Sequence, residues 1–488
     1  MQVTKSPGPD QIHPRILKET KNEIAEHLSN IFTQSLENGT CPSQWKEANV
    51  TPIFKKGDKK CPGNYRPISL TSVIGKLMES LITDKITEFL ETNKLIGDSQ
   101  HGFRHNRSCL TNLLLFFKNI IEIHDAKSPI DIIYLDFQKA FDKVPHRRLV
   151  SKLHSIGIRG ELNNWIKCWL TDRRQRVVLN GSSSPWGNVT SGVPQGSVLG
   201  PVLFIIFIND LDINVLSNIS KFADDTKLGG IAQTDHDCHQ IQSDLNKIVD
   251  WSEKWQMKFN VDKCKVMHIG HHNPKHEYSM SGKKLIPVTE ERDLGVIISN
   301  DLKSSKQCND AAKKGNKMLG MISRTISFKS RDSILKLYNA FVRPHLEYSV
   351  QFWSPYLRKD IIKLEKVQRR ATKLIPSLRN KSYEDRLREL NLYSLEKRRV
   401  RGDMIEVWKI MKGKENVNRA SLFTLNANEV TRNNGFKIVG KRFSLDITRN
   451  FFTYRVVEEW NKLPAEVVNS DTIVTFKSRL DKFYQNRP

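Results

Sequence analysis

The chain has 488 residues, of which 38% are hydrophobic, and its formal net charge is +25. This length exceeds one ordinary hydrophobic core, so two or three domains are expected, and the apolar content excludes a largely disordered chain. The charge favours a polyanionic partner, most commonly nucleic acid, over a membrane surface. No apolar run is long enough to cross a bilayer, and the first residues do not form a secretory signal.

Seven cysteines are scattered along the chain and form no CxxC pair. That spacing argues against both a zinc knuckle and a disulfide framework. An odd number of cysteines, all reduced, is typical of an intracellular protein. We therefore expect a location in the nucleus, the cytoplasm or both, without membrane association.

The first charged motif is a pair of strand-like pieces in residues 50–70. They carry Lys55, Lys56 and Arg66 around a turn that is rich in glycine and proline. Such cations suit a triphosphate, because arginine in particular binds phosphate through two donors at once. A solvated hairpin is the alternative. The pattern of residues 69–93 then predicts a helix.

An almost continuous apolar run ends at an acid in residues 130–142. Residues 132–135 predict a strand that is buried on both faces, and Asp136 follows its end. A buried strand that delivers one acid at its end is a reasonable way to build a metal site, because aspartate is rarely buried without a partner. Asp142 is predicted to be an acid at the start of a helix.

Residues 173–181 predict a basic strand that ends in an Asn-Gly hairpin turn. A loop follows in which glycines surround Gln195, and they allow the backbone to approach a ligand closely. Residues 202–208 then predict a buried helix. By itself, this pattern is equally typical of an ordinary loop before a core helix.

Two adjacent acids, Asp224 and Asp225, stand between apolar residues. Side chains alternate along a strand, so both acids are exposed together only at a tight hairpin tip. Adjacent acids repel each other unless a cation lies between them. A carboxylate cluster with only oxygen ligands suits a hard ion such as Mg²⁺. A solvated turn is the alternative.

Several motifs together resemble the reverse transcriptases of non-LTR (LINE-type) retrotransposons, of the Jockey and chicken-repeat kind. In chain order they are NYRPISL, QHGFR, YLDFQKAFD, SGVPQGSVLGP and FADDT. The resemblance covers residues 5–375. It implies an α+β right-hand polymerase with fingers, a palm built on an antiparallel sheet and a helical thumb, followed by a small basic C-terminal region.

The same resemblance implies four segments along the chain. They are a helical N-terminal extension of the fingers (1–45), the fingers and palm (46–302), the thumb (303–376) and the basic C-terminal region (377–488). Residues 293–302 resemble the primer grip, a hairpin beside the palm. An apolar stripe flanked by cations predicts a thumb helix over 361–374. In the tail, alternation over 442–447 predicts a strand.

The resemblance also implies roles for single residues. Asp136 and Asp224 would hold two Mg²⁺ ions, and Asp225 would complete the acidic cluster. Nucleotide contacts are implied for Lys55 or Lys56, Arg66, Phe137, Phe141, Gln195, and Lys263 or Lys265. Phe141 lies where the family places an aromatic steric gate against the 2′-hydroxyl, although a core phenylalanine is the alternative. One of the two lysines would protonate the leaving pyrophosphate.

The implied function is RNA-directed DNA synthesis by two-metal nucleotidyl transfer. Its partners would be a template RNA, a DNA primer or nicked target DNA, and deoxynucleoside triphosphates. An upstream endonuclease is not expected, so we do not expect target-primed integration by this chain alone. The alternatives are a polymerase like the group II intron maturases and a catalytically inactive, nucleic-acid-binding remnant of an element.

Overall fold

Helices and strands alternate through the first 300 residues of the computed structural model, which describes residues 3–426 and 434–485. The helices of this half are α1 (Pro14–Glu19), α2 (Lys21–Glu37), α3 (Val73–Thr92), α4 (Cys109–Asp125), α5 (Ala140–Lys143), α6 (His146–Ser155), α7 (Gly160–Leu170), α8 (Gly200–Phe207) and α9 (Asp235–Trp255). The strands are β1 (Glu47–Phe54), β2 (Tyr65–Thr71), β3 (Ile130–Leu135), β4 (Arg173–Leu179), β5 (Ser182–Ser183), β6 (Gly187–Val189), β7 (Asn218–Phe222), β8 (Asp225–Ile231), β9 (Lys265–Ile269), β10 (Ser279–Met280), β11 (Lys283–Lys284), β12 (Ile286–Pro287), β13 (Glu290–Asp293) and β14 (Val296–Ser299).

The described part of the second half is helical. Its helices are α10 (Ser305–Thr325), α11 (Arg331–Leu337), α12 (Arg343–Glu347), α13 (Val350–Trp353), α14 (Arg358–Lys373), α15 (Tyr383–Glu389), α16 (Leu395–Met411), α17 (Arg419–Leu422), α18 (Asp446–Asn450), α19 (Phe452–Asn461), α20 (Ala465–Val468) and α21 (Ile473–Gln485). Helix α14 contains most of the predicted thumb helix. Within residues 3–426 and 434–485, no helix is both long enough and apolar enough to cross a membrane.

A five-stranded sheet lies at the centre of the first half, in the order β12-β9-β3-β8-β7. Strand β3 occupies the middle and pairs antiparallel with both β8 and β9. Two adjacent residues of β3, Ile132 and Ile133, are fully buried and belong to different hydrophobic cores, one on each face of the sheet. The prediction of a strand buried on both faces is confirmed.

A second sheet contains the basic strands. Strand β1 pairs antiparallel with β2 and parallel with β4, and β4 turns into β5 at Asn180 and Gly181. Both predicted hairpins are therefore confirmed. The helix predicted over 69–93 begins only at Val73, because β2 stays paired with β1 as far as Thr71. The Ser72 side chain then caps the helix by accepting from the Gly75 amide.

One hydrophobic core unites the second half with the back of the central sheet. It contains the buried side of α4, including Phe117, and residues on both sides of position 376, such as Val367 and Trp408. The other core lies between the central sheet and helices α3, α6, α7, α8 and α9. A mainly antiparallel sheet with helices packed around it confirms the predicted α+β class.

Two predicted elements differ from the structure. The hairpin beside the sheet is formed by β13 and β14, so it covers 290–299 rather than 293–302. The strand predicted over 442–447 is wrong, because α18 already begins at Asp446. The amides of Ser444 and Leu445 donate to the Asp125 carboxylate at 3.0 and 2.8 Å, so a contact with α4 replaces strand pairing.

Candidate active site

The two adjacent acids lie at the tip of a β-hairpin. Strands β7 and β8 pair as far as Phe222 and Asp225, so Ala223 and Asp224 form the turn between them. Ala223 has a φ of 53°, a left-handed conformation that costs a non-glycine residue about 1–2 kcal/mol. The predicted hairpin tip is confirmed, and its backbone holds an uncommon conformation.

Asp136 lies beside this hairpin, just beyond the end of β3. The last β3–β8 pair joins Leu135 to Thr226, so the next step of the antiparallel register brings Asp136 opposite Asp225. The amide of Asn260 donates to the Asp136 carbonyl at 2.7 Å and fixes the backbone beyond the strand. The structure thus brings all three predicted acids together at the end of the central sheet where β3 stops and β8 begins.

The two adjacent carboxylates, Asp224 and Asp225, have raised pKa values. Burial raises the pKa of Asp224, and the charge of Asp136 adds to that rise. Burial of its carboxyl by the surrounding protein and the charges of Asp224, Asp293 and Asp136 raise the pKa of Asp225 to about 7. The residue is nevertheless exposed to the open cavity that Asp136, Asp225 and Lys263 line, which we call the cleft. A cation between the carboxylates would relieve the repulsion.

The donor set fits a hard divalent cation, because the acids offer only oxygen ligands. Among residues 3–426 and 434–485, no three His, Cys, Asp or Glu side chains are already arranged as a metal-binding group. Mg²⁺ in nucleotide sites is usually held by one or two carboxylates, together with substrate phosphates and water. A carboxylate cluster that is incomplete without substrate agrees with that mode of binding.

The charges of two cations of the β1–β2 hairpin act on the acids. The charges of Arg66 and Lys55 oppose the rise in the pKa of Asp224, and Lys55 also opposes the rise in the pKa of Asp142. The Lys55 amide donates to the Asn64 carbonyl at 2.9 Å, which fixes its backbone at the end of the hairpin. Lys56 follows in the exposed loop. Of the two lysines, the structure brings Lys55 towards the acids.

The Gln195 loop packs tightly against β2. The Ser69 amide donates to the Gln195 carbonyl at 2.7 Å, and the Gln195 side-chain amide donates to Asp142 at 3.3 Å. Gly196 has a φ of 124°, and a Cβ there would lie 2.4 Å from the Ser69 carbonyl oxygen. The predicted need for glycine is confirmed here, and the close neighbour it permits is β2.

Phe141 is half-buried and lies five residues after Asp136. Its ring stacks on Phe204 with centroids 4.4 Å apart and meets Phe103 edge-on at 6.1 Å. Its carbonyl accepts from the Val193 amide at 2.7 Å. Ring and backbone are therefore both held in place, as a residue that measures the size of a ligand requires.

Phe137 does not have the predicted surroundings. Its side chain is only 4% exposed. The ring stacks on Phe259 at 4.1 Å and meets Trp251 edge-on at 6.3 Å. The alternation that exposes Asp136 turns the next side chain into the core, so the predicted nucleotide contact of Phe137 would be made by its backbone.

The two candidate lysines of the next segment are not equivalent. Lys263 lies at the cleft, with its Nζ 3.6 Å from an Asp136 carboxylate oxygen. Lys265 is half-buried on β9, and its Nζ donates to the Asp262 carbonyl at 3.2 Å. Of this pair, Lys263 is the one that reaches the acids.

A buried ion pair beside the acids was missed. The Lys227 ammonium of β8 donates to the Asp293 carboxylate of β13 at 2.5 Å, and the two side chains are 4% and 7% exposed. Both line a cavity of about 150 Å³ that also contacts Asp136 and Asp225. Sequence patterns offered no signal for this pair, because periodicity reports only contacts within one element.

The family described as "Reverse transcriptase (RNA-dependent DNA polymerase)" matches residues 53–322. The chain is 27% identical over 386 residues to the "Probable RNA-directed DNA polymerase from transposon X-element" of Drosophila melanogaster, with 76% of this chain and 42% of that protein covered. It is 26% identical to the "RNA-directed DNA polymerase from mobile element jockey" of the same organism, with coverages of 77% and 42%.

The chain therefore spans less than half the length of these curated relatives. Among solved structures, the apo telomerase of Candida tropicalis aligns with 73% of this chain and 63% of its own. The TM-score of that alignment is 0.42, and the identity is 12%.

Proposed function

Because the chain belongs to the reverse transcriptase family, we propose that it extends a DNA primer on an RNA template as the polymerase of a non-LTR retrotransposon. One observation carries this proposal. Asp136, Asp224 and Asp225 converge at the end of the central sheet where β3 stops and β8 begins, and the charges of Lys55 and Arg66 on the β1–β2 hairpin act on Asp224. Acids opposite cations are the requirement for holding a metal–triphosphate complex.

We assign Asp136 and Asp224 as the residues that would hold two Mg²⁺ ions, with Asp225 completing the cluster. Family membership supports a divalent metal in general terms, and the oxygen-only donor set supports Mg²⁺. When bound, two such ions stabilise both the attacking and the leaving oxygens of an in-line displacement.

The remaining roles belong to side chains around the cluster. Arg66 and Lys55 bind the triphosphate, and Gln195 and Phe141 position the nucleotide. Lys263 is the general acid that protonates the leaving pyrophosphate, because its Nζ lies near Asp136. The Lys265 Nζ instead donates a hydrogen bond to the Asp262 carbonyl. Positioning and electrostatics supply most of the rate in phosphoryl transfer.

We also propose the partners of the chain and a role for each of its segments. The partners are a template RNA, a DNA primer or nicked target DNA, and deoxynucleoside triphosphates, in the nucleus or the cytoplasm. Segments 1–45, 46–302, 303–376 and 377–488 act as an extension of the fingers, fingers and palm, thumb and C-terminal region. The hairpin of β13 and β14 takes the position of the primer grip.

A primer-extension experiment tests the function. The purified chain receives a DNA primer annealed to RNA, Mg²⁺ and deoxynucleotides, beside the Asp136→Asn variant. We expect extension by the wild type and none by the variant, while both bind the primer–template. Binding without extension by the wild type would refute the proposal and favour a nucleic-acid-binding remnant.

The two hairpin lysines offer a matched pair for the triphosphate contact. Replacing Lys55 by alanine should raise the KM for deoxynucleotides about tenfold to hundredfold, the worth of one charge-assisted hydrogen bond. Lys56→Ala should leave that KM within about twofold, since the lysine charge that lowers the pKa of Asp224 and Asp142 is that of Lys55. Steady-state kinetics on one primer–template decides; equal effects of the two variants would remove Lys55 from this role.

The half-buried, stacked ring of Phe141 predicts sugar selectivity. Phe141→Ala should open space beside the ribose and reduce discrimination against ribonucleotides at least about tenfold, as expected when a steric contact is lost. Phe141→Tyr keeps the ring stacked on Phe204 and should keep the selectivity. The measurement is the ratio of kcat/KM for deoxy- and ribonucleotides, and an unchanged ratio in the alanine variant would make Phe141 a core residue only.

The raised pKa of Asp225, about 7, predicts a pH-dependent response to Mg²⁺. Below that pH the carboxyl holds a proton that a cation must displace, so metal binding weakens as the pH falls. The rise in melting temperature on adding Mg²⁺ should be larger at pH 8 than at pH 6. Asp225→Asn should remove most of this difference; an equal difference in the variant would contradict the assignment.

A further inference from the structure

The QHGFR segment lies along the outer edge of the central sheet. The Lys221 amide of β7 donates to the Ser99 carbonyl at 2.8 Å, and the His101 amide donates back to the Lys221 carbonyl at 2.9 Å. Gln100 thereby pairs with Lys221 as a single parallel bridge. The segment runs beside the strand that leads into the turn carrying Asp224.

The Gln100 side chain reaches this turn. It is fully buried, and its Oε1 accepts from the amides of Ala223 and Gly102 at 2.9 and 2.8 Å. Ala223 is the residue with the left-handed backbone directly before Asp224. One buried oxygen therefore holds the Ala223 amide, and the orientation of that amide determines how the backbone leads into Asp224.

The approach of the segment to the turn is close. A Cβ on Gly102 would lie 2.3 Å from the Ala223 nitrogen, so only glycine permits this contact. The Gln100 Nε2 is buried and has no hydrogen-bond partner among the described residues. The contact thus depends on the oxygen of the carboxamide and on the glycine two residues later.

We propose that Gln100 is a positioning residue for Asp224: its Oε1 holds the Ala223 amide and so fixes the left-handed turn that sets the direction of the carboxylate. The inference rests on the proposed polymerase function. A residue that orients a metal ligand without touching the metal commonly changes activity about tenfold to hundredfold when it is replaced.

Two variants separate the oxygen from the shape of the side chain. Gln100→Met keeps the length and removes the acceptor, whereas Gln100→Glu keeps an oxygen for both amides. Gln233→Met is the matched control, because this glutamine is exposed and follows the opposite end of β8. Each variant is tested as the full chain for primer–template Kd, for single-turnover extension rate, and for hydrogen exchange of the peptide that contains Ala223.

We expect Gln100→Met to extend about tenfold to hundredfold more slowly, with primer–template Kd within about twofold and with faster exchange at Ala223. Gln100→Glu should restore most of the rate, and Gln233→Met should match the wild type. An unchanged rate in Gln100→Met, a parallel loss of primer–template binding, or no rescue by glutamate would overturn the inference. Absence of extension by the wild type refutes the proposed function instead, and the exchange measurement then still tests the contact.

Discussion

Asp224→Asn should abolish primer extension, with a loss on the order of 10³-fold or more. The substitution keeps the size of the side chain and removes the charge, so the loss reports electrostatic stabilisation of the reacting phosphate. A thousandfold change corresponds to about 4 kcal/mol of activation free energy. The measurement is the single-turnover rate at saturating Mg²⁺ and nucleotide.

The same variant should not weaken the fold. The folded state raises the pKa of Asp224, so it holds the proton more tightly than the unfolded chain, and the ionised carboxylate lowers stability as the pH rises. Asparagine carries no charge to bury. At pH 8 without divalent ions, Asp224→Asn should therefore keep or raise the melting temperature, as expected where activity and stability conflict.

Two further substitutions rank the acids. Asp225→Asn should retain more activity than Asp224→Asn, because Asp225 is the less constrained member, at the first position of β8 and exposed to the cleft. Asp262→Asn is the control, since that side chain is 80% exposed. Extension at the wild-type rate by Asp224→Asn, or equal losses in all three variants, would contradict the assignment.

Local patterns predicted the parts of this site that depend on one element. The apolar run of residues 132–135 defined a strand with Asp136 at its end, and the acid pair required a turn. The strand register then brings Asp136 opposite Asp225. That these acids meet, although they are far apart in the chain, was implied by the family resemblance and not by any local pattern.

Contacts between elements were not predictable in the same way. The alternation of residues 442–447 does not indicate that the Asp125 carboxylate accepts hydrogen bonds from the amides of Ser444 and Leu445. A helix follows these contacts, where a strand was predicted. The Gln100–Ala223 hydrogen bond also joins distant segments. The burial of the Phe137 ring was missed for a simpler reason, because residue-level resemblance ignores which face of the strand a side chain occupies.

Asp293→Asn should lower the free energy of unfolding by about 3–5 kcal/mol, the usual cost of removing one partner from a buried ion pair. The variant would leave the Lys227 ammonium unpaired above the rings of Phe116 and Phe117, at 5.0 and 5.4 Å. The check is urea denaturation followed by tryptophan fluorescence. Asp262→Asn, which breaks an exposed pair with Lys283, should cost at most about 1 kcal/mol.

A double variant distinguishes the ion pair from the space it fills. Lys227→Met combined with Asp293→Leu removes both charges, and apolar replacement of a buried pair is often neutral or stabilising. Most of the stability lost in Asp293→Asn should return. If the double variant is as unstable as the single one, side-chain packing rather than the unpaired charge explains the loss.

The double variant also tests what this ion pair does for the reaction. The hairpin of β13 and β14 keeps its contacts with the helical half, because Arg292 bonds Asp310 at 3.2 Å and Tyr348 donates to the Leu294 carbonyl at 2.9 Å. The ion pair that joins this hairpin to β8, the strand that begins with Asp225, is lost. We therefore expect a folded enzyme whose KM for primer–template rises while its deoxynucleotide KM stays unchanged. Equal changes in both constants would mean that the pair supports the whole cleft rather than the placement of the primer.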